Sequence, residues 1–324
     1  MNPFISTLEP IWSSPTCVFI DEKRLRVVSE ELSKEPLELP NWRLPVFPSD
    51  DDETFTNFLG VGNSINFAFT DFSTYKSFEI EYNGGIWKGA FAMWGCILRA
   101  LERGKEVLKG RFLRNLNRKE FDEIFAGKVP IPMADERLRI LNEIGAVLET
   151  HYGGEFSNLF IEARFRAFGG NGIVDRLTSQ FSSFRDESVY KRTNAVLKFH
   201  KRAQLLPMMY QGRAAASTVL PQIADFEDLG PIADYAVPRG LHNAGILSYA
   251  PELQSKIIDR VLIPKDSIEE QEIRAQTENV QWKLLQVLQR MSTPAPTMLH
   301  IDYKVWSLGR GAKEPHHLTK TSAY

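Results

Sequence analysis

The chain has 324 residues, of which 43% are hydrophobic and 11% aromatic, which is enough to bury a sizeable core. Its formal net charge of -2 provides no excess of basic groups to neutralise a row of phosphates, which argues against a polynucleotide-binding protein. The two cysteines, Cys17 and Cys96, show no CxxC or paired Cys/His spacing, so neither a disulfide framework nor a structural zinc site is indicated. We therefore expect a globular protein of a reducing compartment that binds a small ligand.

The N-terminal part of the chain indicates a cytosolic protein. The opening sequence MNPFISTLEPIW lacks the basic region and the long apolar region of a signal peptide, and no later apolar run is long enough to span a membrane. Between about residues 34 and 52, repeated prolines and the acidic run SDDDE predict an extended surface connection. This connection should separate an N-terminal helix from the main body.

One region carries a convincing β pattern. GNSINFAFTDF alternates apolar and polar residues, and YKSFEIEYNGG does so again before a pair of glycines. Alternation with a period of two followed by a turn is typical of a half-buried strand or hairpin. We expect this element near residues 64 to 83.

Helical periodicity dominates after Trp87. In GIWKGAFAMWGCILRALERG one face carries apolar residues and the pattern ends at Gly104; in ERLRILNEIGAVLETHYGG a similar face ends at Gly153. The two predicted apolar faces consist of Phe91, Trp94, Leu98 and Leu101, and of Leu138, Leu141, Ile144 and Leu148.

Two further helices are predicted in the C-terminal half. VYKRTNAVLKFHKRAQLL is amphipathic, and Pro207 should kink or end that helix because proline lacks the amide hydrogen. DSIEEQEIRAQTENVQWKLLQVLQRM opens with Ser267 and Glu270 at the spacing of a capping box. Its predicted apolar stripe consists of Ile273, Val280, Leu284, Leu288 and Met291.

Several catalytic motifs are absent from the sequence. They include the phosphate loop GxxxxGK[ST], the hydrolase elbow GxSxG and the zinc-protease motif HExxH. The glycine-containing stretches GVGNSINF and FGGNGIVD lack the lysine or the strand–turn–helix context of a nucleotide loop. We interpret both stretches as turns.

Three charged sites stand beside apolar sequence. Asp234 lies in the mostly apolar run GPIADYAVPRGLHNAGIL, where it could cap a helix, pair with a cation or act as a catalytic acid or base. Lys201 and Arg202, in HKRAQ, fit either a solvated helix flank or a functional cluster. Asp302 could cap a helix or accept hydrogen bonds from a ligand. The residues alone leave these alternatives open.

Aromatic residues occur near the same sites, namely Phe67, Phe69, Trp87, Tyr235 and Trp306. Most should belong to the core, but a planar heterocycle would also require such rings for stacking. The tail KEPHHLTKTSAY is typical of a disordered segment by composition, and its two histidines are too few for a metal site.

Eight short sequence motifs occur in this order along the chain: NFAF, YNGG before a Trp-containing helix, SSFRD, FHKRAQ, ADYAVP, GIL-Y, EIRA and ID-Y-VW. In this order and spacing the chain resembles the queuosine salvage protein family, which comprises queuosine 5′-phosphate N-glycosylase/hydrolases. The resemblance extends from about Asn66 to the end, about four-fifths of the chain, and includes Pro315, His317 and Tyr324.

The resemblance implies both a fold and an activity. The fold is a mostly α, multihelical single domain over residues 1–324, with a short β element near the N-terminal third, similar to helix-hairpin-helix DNA glycosylases. The activity is release of queuine from queuosine 5′-monophosphate for salvage into tRNA, without metal or cofactor. We expect a monomer that acts on a small nucleotide and binds neither nucleic acid nor membrane.

The chain departs from the family pattern at three places. Ala236 and Ser307 stand where the family has Arg and Asp, and Pro207 interrupts a helix that the family tends to continue. These departures concern finer substrate contacts and leave the proposed catalytic pair intact.

That pair consists of Asp234 and Lys201. Cleavage of a ribosyl bond builds positive charge on the sugar, so a carboxylate is needed beside the anomeric carbon, and Asp234 would either attack it or activate water. Queuine is a 7-deazaguanine, so the ring position that a purine hydrolase would protonate is carbon. Lys201 could bind the phosphate, keep Asp234 ionised or assist departure of the base; we favour the first two roles.

The remaining expected contacts serve the phosphate and the base. Lys201, His317 and Tyr324 are candidate phosphate donors. The other candidates for substrate binding are Asn66, Phe67, Phe69, Tyr235, Asp302 and Trp306, with Phe67 or Tyr235 stacking on the base and Asp302 and Asn66 binding its polar edge. Asp186 could also contribute, although an ion pair with Arg185 is equally plausible.

Three other functions stay open. The protein could hydrolyse another modified nucleotide, carry queuine without cleavage, or act on nucleic acid as the fold analogy suggests. The near-neutral net charge speaks against the last of these.

Overall fold

The computed structural model describes residues 2–324 and shows a mostly helical architecture. The helices of the first half are α1 Glu9–Trp12, α2 Glu22–Leu32, α3 Glu53–Ser64, α4 Ala90–Glu102, α5 Gly110–Arg114, α6 Arg118–Ile124 and α7 Ala134–His151. Those of the second half are α8 Phe156–Glu162, α9 Ile173–Gln180, α10 Lys201–Ala214, α11 Ala236–Asn243, α12 Pro251–Ile258, α13 Ile268–Met291 and α14 Met298–Gly311. Short 3-10 turns occupy Ile5–Leu8, Ser182–Phe184 and Phe226–Asp228.

Within residues 2–324, six short strands pair into three antiparallel two-stranded sheets. In chain order they are β1 Val18–Ile20, β2 Glu79–Tyr82, β3 Gly85–Lys88, β4 Glu187–Tyr190, β5 Ala195–Lys198 and β6 Leu247–Tyr249. Strand β2 pairs with β3, β4 with β5, and β1 with β6, with Val18 opposite Tyr249. The β2–β3 hairpin confirms the short β element predicted in the N-terminal third.

Helix α3 forms the centre of the larger hydrophobic core and packs against α4, α7, α8 and α10. Two of its glycines permit this packing, because a Cβ on Gly62 would lie 1.6 Å from the Trp94 ring and one on Gly60 would lie 2.2 Å from Phe156. The turn predicted at GVGNSINF was therefore wrong for its residues up to Ser64, which belong to α3. The glycines there allow neighbouring side chains to pack closely against the helix. The strand expected from residue 64 onward was also wrong, since regular pairing begins at Glu79.

A second core joins the two ends of the chain. It is formed by α2, β1, β6, α11, α12, α13 and α14. Residues 33–52 contain no helix or strand, in agreement with the predicted extended connection after an N-terminal helix.

Helix α13 begins at the predicted cap, where the Ser267 hydroxyl accepts a hydrogen bond from the Glu270 amide at 3.2 Å. Four residues of its predicted stripe are buried, but Met291 is 47% exposed. The two helices predicted to end at Gly104 and Gly153 end as expected. Gly104 follows α4, Gly153 follows α7, and both glycines have positive φ.

The prediction of one long helix through VYKRTNAVLKF was wrong for residues 187–198. They form the β4–β5 hairpin, in which Tyr190 and Leu197 are buried while Val189 and Val196 point outward. The helix α10 begins only at Lys201, and it continues through Pro207 to Ala214. Of the two outcomes expected at Pro207, a kink or an end, the end was therefore wrong.

The C-terminal tail is ordered against the body, which overturns the disorder expected from its composition. His317, Thr319, Thr321 and Tyr324 are each buried. The Ile263 amide donates to the carbonyl of Leu318 at 2.8 Å, and the Ala68 amide donates to that of Tyr324 at 3.2 Å. The tail therefore becomes part of the molecule's interior.

Candidate active site

A cavity of about 380 Å³ lies where the two cores meet. Its size falls within the range of about 300–1,000 Å³ that is typical of small-molecule sites. Nine of the ten predicted site residues line it: Asn66, Phe67, Phe69, Lys201, Asp234, Tyr235, Asp302, Trp306 and Tyr324. The tenth, His317, lies behind Tyr324, with its Nε2 3.3 Å from the tyrosine hydroxyl oxygen.

Asp234 lies just before α11 and is half-buried. Its Oδ1 accepts hydrogen bonds from the amides of Ala236 at 2.7 Å and Val237 at 2.9 Å. These bonds satisfy free amides at the start of the helix and fix the orientation of the carboxylate. Asp234 is thus a helix cap that also belongs to the cavity wall, so the capping alternative is confirmed and the catalytic role stays a prediction.

Lys201 is the first residue of α10 and is 3% exposed, so it is not part of a solvated flank. Its Nζ donates to the carbonyl of Asn66 at 3.2 Å. Burial lowers its pKa to about 8, and the negative charge of Asp234 opposes this shift. Lys201 is therefore held charged chiefly by nearby carboxylates.

Asp302 lies within α14 and caps no helix. Burial raises its pKa well above the usual range, the charge of Asp234 raises it further, and Lys201 opposes both effects. Within residues 2–324 its Oδ1 is buried without a hydrogen-bond partner. A buried polar atom left unsatisfied at a cavity wall is suited to bind a ligand.

The aromatic residues of the cavity differ in how much of each ring is exposed. Phe67 is fully buried, and the guanidinium carbon of Arg137 lies 4.2 Å from its ring centre. This ring therefore supports the cavity wall from the protein interior. Phe69, Tyr235 and Trp306 are partly accessible. These three are better placed than Phe67 to contact a planar ligand.

The tail completes one side of the cavity through an aromatic cluster. The ring of Tyr235 lies 4.8 Å from that of Tyr324 and 5.0 Å from that of His317. The Tyr235 hydroxyl donates to the carbonyl of Thr319 at 2.5 Å. Burial lowers the pKa of His317 well below its usual value, which favours the neutral imidazole.

Asp186 does not line the cavity and its ion-pair partner is not Arg185. Both of its carboxylate oxygens accept hydrogen bonds from Arg274, at 3.0 and 2.5 Å. Burial raises the pKa of Asp186, but the charge and hydrogen bonds of Arg274, together with His200 and the Lys201 amide, outweigh this effect and the pKa lies below its usual value. Asp186 is therefore part of a buried structural pair behind the site.

The cavity also contains cations that the sequence did not reveal, namely Lys88, Arg239 and Arg310. Arg310 follows Trp306 by one helical turn, and its guanidinium carbon lies 5.0 Å from that ring centre, so helical spacing could have indicated it. Lys88 and Arg239 gave no comparable signal. Tyr303 and His316 also line the wall.

Residues 2–324 contain no group of three or more His, Cys, Asp or Glu side chains arranged to hold a metal ion. Over the same residues, no helix combines the length and apolar character needed to cross a membrane.

Comparison with known proteins shows the family to which the chain belongs. The family model described as "Queuosine salvage protein" matches residues 46–324. A queuosine 5′-phosphate N-glycosylase/hydrolase of Sphaerobacter thermophilus is 32% identical over 99% of this chain and 97% of its own length. Proteins of the same name from Mus musculus and Schizosaccharomyces pombe are 28% and 26% identical, over 86% and 87% of this chain and 84% and 83% of their own lengths. The chain belongs to the queuosine salvage protein family.

Proposed function

We propose that this protein hydrolyses the N-glycosidic bond of queuosine 5′-monophosphate and releases queuine for salvage into tRNA. Membership of the family and the names of the relatives support this activity. The observation that carries the proposal is that Asp234 and Lys201 line one cavity together with aromatic residues and a second buried acid.

Asp234 is the proposed catalytic carboxylate. As the bond between C1′ and the base breaks, its electron pair leaves with the base and positive charge grows on the sugar. Asp234 either attacks C1′ or takes a proton from an attacking water. In both routes the water oxygen ends on C1′, which gives ribose 5-phosphate, and one water proton ends on the base.

Lys201 supports the charge of Asp234 and contributes to phosphate binding. With a pKa of about 8 it is mainly an ammonium ion at neutral pH, although it is buried. Three further cations line the cavity, namely Lys88, Arg239 and Arg310. Together they give a cavity with more cations than carboxylates, which suits a substrate that carries a phosphate dianion.

The base occupies the aromatic part of the cavity. Phe69, Tyr235 and Trp306 provide ring surface, and each stacked base contributes about 1–3 kcal/mol. Asp302, with its unsatisfied Oδ1, and Asn66 bind the polar edge of the base or its amine. Tyr324 closes the wall beside Tyr235.

The finer organisation belongs to the same proposal. We expect one domain of the helix-hairpin-helix glycosylase type that acts as a monomer in the cytosol. The net charge of -2 supports a free nucleotide as the substrate rather than a nucleic acid.

The test is release of free base from queuosine 5′-monophosphate, followed by chromatography. Asp234→Asn should lower the rate by about 1,000-fold or more, because asparagine can neither attack C1′ nor take a proton. Asparagine remains a good helix cap, so folding should persist. The matched control is Asp21→Asn, since Oδ1 of Asp21 caps α2 through the amides of Lys23 and Arg24, each at 2.9 Å, outside the cavity.

Three results would contradict the proposal in different ways. Binding of queuine with no release from the nucleotide would indicate a carrier. Faster release of another modified base would indicate a different nucleotide substrate. Undiminished turnover by Asp234→Asn would remove Asp234 from its catalytic role.

A further inference from the structure

Three buried cations lie behind one wall of the cavity. Arg137, Lys201 and Arg202 are 0%, 3% and 2% exposed. They come from different parts of the chain, Arg137 from α7 and the other two from the start of α10. All three point at the same stretch, residues 64–68, which leads from the end of α3 into the cavity wall.

Each carbonyl of that stretch accepts a hydrogen bond from one of the three cations. Arg137 Nη2 donates to Ala68 at 2.8 Å, and Lys201 Nζ donates to Asn66 at 3.2 Å. The full set of accepting carbonyls is that of Ser64 from Arg202, of Ile65, Phe67 and Ala68 from Arg137, and of Asn66 from Lys201. Ala68 has a φ of 40°. This conformation is strained in a non-glycine residue and persists only where the surrounding contacts hold the backbone in place.

The same cations contact the aromatic rings of this wall. The guanidinium carbon of Arg137 lies 4.2 Å from the ring centre of Phe67 and 5.0 Å from that of Phe69. That of Arg202 lies 5.4 Å from the ring centre of Phe67. Positive charge therefore lies directly behind the rings that line the cavity.

The charge of Arg137 has no carboxylate partner among the described residues. All four of its hydrogen bonds go to backbone carbonyls, and burial and the charge of Arg202 both lower its pKa. Arg202 likewise donates only to backbone carbonyls, those of Ser64 and Ser183. Two other buried arginines are paired, Arg213 with Asp51 at 3.1 Å and Arg274 with Asp186 at 2.5 Å. An unpaired buried charge is costly to stability, so stability alone does not explain it.

The reaction supplies a use for this charge. The departing base of queuosine carries the electron pair of the broken bond, and carbon replaces the nitrogen that would be protonated in an ordinary purine. Negative charge therefore builds up on the base in the transition state. A fixed positive charge aimed at that region stabilises it more than it stabilises the neutral ground state.

We propose that Arg137 is a positioning residue that holds residues 64–68 and the Phe69 ring in place and projects positive charge through this wall onto the departing base. The bond from C1′ to the base breaks, its electron pair stays on the base, and the resulting anion then takes a proton that originates from water. Arg137 itself neither gives nor takes a proton. This inference rests on the proposed hydrolysis of queuosine 5′-monophosphate.

The test compares two substrates that share the ribose 5-phosphate and have leaving groups that require different degrees of stabilisation. Queuosine 5′-monophosphate has a poor leaving group, whereas 4-nitrophenyl β-D-ribofuranoside 5-phosphate releases a stable phenolate. Arg137→Met should lower kcat for the nucleotide by about 100-fold, the effect of removing one preorganised electrostatic group, with little change in KM. The nitrophenyl substrate should lose about tenfold less, and Arg137→Lys should recover part of the loss for the nucleotide.

The ratio of the two rates within one preparation does not depend on the folded fraction, so partial unfolding of the variant leaves the test valid. The matched control is Arg213→Met, which removes a buried guanidinium that also holds backbone carbonyls, those of Asn41 and Trp42. It should lower both rates by the same factor. Equal losses for the two substrates in Arg137→Met would overturn the inference.

A second measurement uses bound queuine and requires no turnover. The pKa of the bound base, read from its ultraviolet spectrum against pH, should be higher in Arg137→Lys and higher still in Arg137→Met than in the wild type. An unchanged pKa would overturn the inference. Failure of the wild-type protein to release base from the nucleotide would instead overturn the proposed function.

Discussion

At the scale of single residues, burial controls the charge of the groups around the site. Three ionisable groups there are nearly or fully buried, namely Lys201, Asp302 and Glu278. Burial shifts the pKa of each group in the direction that favours its neutral form. Such groups reduce stability unless they are paired, and they concentrate at sites where their chemistry is used. Glu278 stands apart because it does not line the cavity and its Oε1 has no hydrogen-bond partner among residues 2–324.

Glu278→Gln should therefore stabilise the protein in a manner that depends on pH. Burial raises the pKa of Glu278 well above its usual value of 4.5, and the charge of Arg274 only partly opposes this. Below pH 4.5 the folded and unfolded states both carry a protonated Glu278. As pH rises, only the unfolded state ionises, so the free energy of unfolding falls by up to about 1.4 kcal/mol per pH unit. Thermal unfolding of both proteins from pH 4 to pH 8 checks this.

The glutamine variant lacks this ionisation, so its Tm should exceed that of the wild type by an amount that grows with pH. The control is Glu252→Gln, because Glu252 is exposed on α12 and should give no growing difference. A constant difference between Glu278→Gln and the wild type across the pH range would show that Glu278 is ionised in the folded protein.

At the scale of elements, the sequence predicted helices well where one face is apolar over several turns. The apolar faces of α4 and α7 predicted both helices and both glycine ends, because packing and local propensity agree there. The prediction for residues 187–198 was wrong because two four-residue strands, joined by residues 191–194, also fit a helical pattern over a short window. The long-range packing of Tyr190 and Leu197 selects the hairpin.

The same limit applies to the site. Asp234 and Lys201 were identifiable because a charged residue beside apolar sequence, together with a family resemblance, is a local signal. Arg239 and Lys88 were not, because only the folding of α11 and β3 against one cavity gives them a shared role. The order of the tail was also hidden from composition, since residues from distant helices bury it.

The tail supports a prediction at this scale. Deletion of residues 321–324 should lower Tm and weaken substrate binding, because it removes the Tyr324 ring that packs 4.8 Å from Tyr235 and 4.6 Å from the guanidinium carbon of Arg274. Loss of a buried aromatic side chain typically costs about 3–5 kcal/mol. Thermal unfolding and KM for queuosine 5′-monophosphate measure the two effects.

Tyr324→Phe is the matched variant for the tail. It keeps the ring but removes the hydroxyl that lies 3.3 Å from His317 Nε2, so it should cost only about 1 kcal/mol and leave KM nearly unchanged. A deletion that lowers Tm with no effect on KM would show that the tail stabilises the fold without shaping the cavity.

At the scale of the whole molecule, the two ends of the chain are interlocked. Strand β1 pairs with β6, and Oε1 and Oε2 of Glu272 on α13 accept hydrogen bonds from the amides of Thr16 and Cys17. The side chain of Asn2 donates to the carbonyl of Gly230 at 2.8 Å. Trp306 packs against both hydrophobic cores, and the cavity lies between them. The cavity can therefore be intact only when both cores are folded.

This interlocking predicts that the protein unfolds in one cooperative step. A boundary between independent domains would require a point along the chain that few contacts cross, whereas the contacts of residues 2–32 reach across most of the sequence to the second core. Urea unfolding followed by tryptophan fluorescence and by far-ultraviolet circular dichroism should give the same midpoint. A non-cleavable analogue of queuosine 5′-monophosphate at about 100 times its Kd should raise the free energy of unfolding by about 2.7 kcal/mol in both signals. If the two signals separate, or if the ligand shifts only one of them, the two cores fold independently and the cavity is an interface between domains.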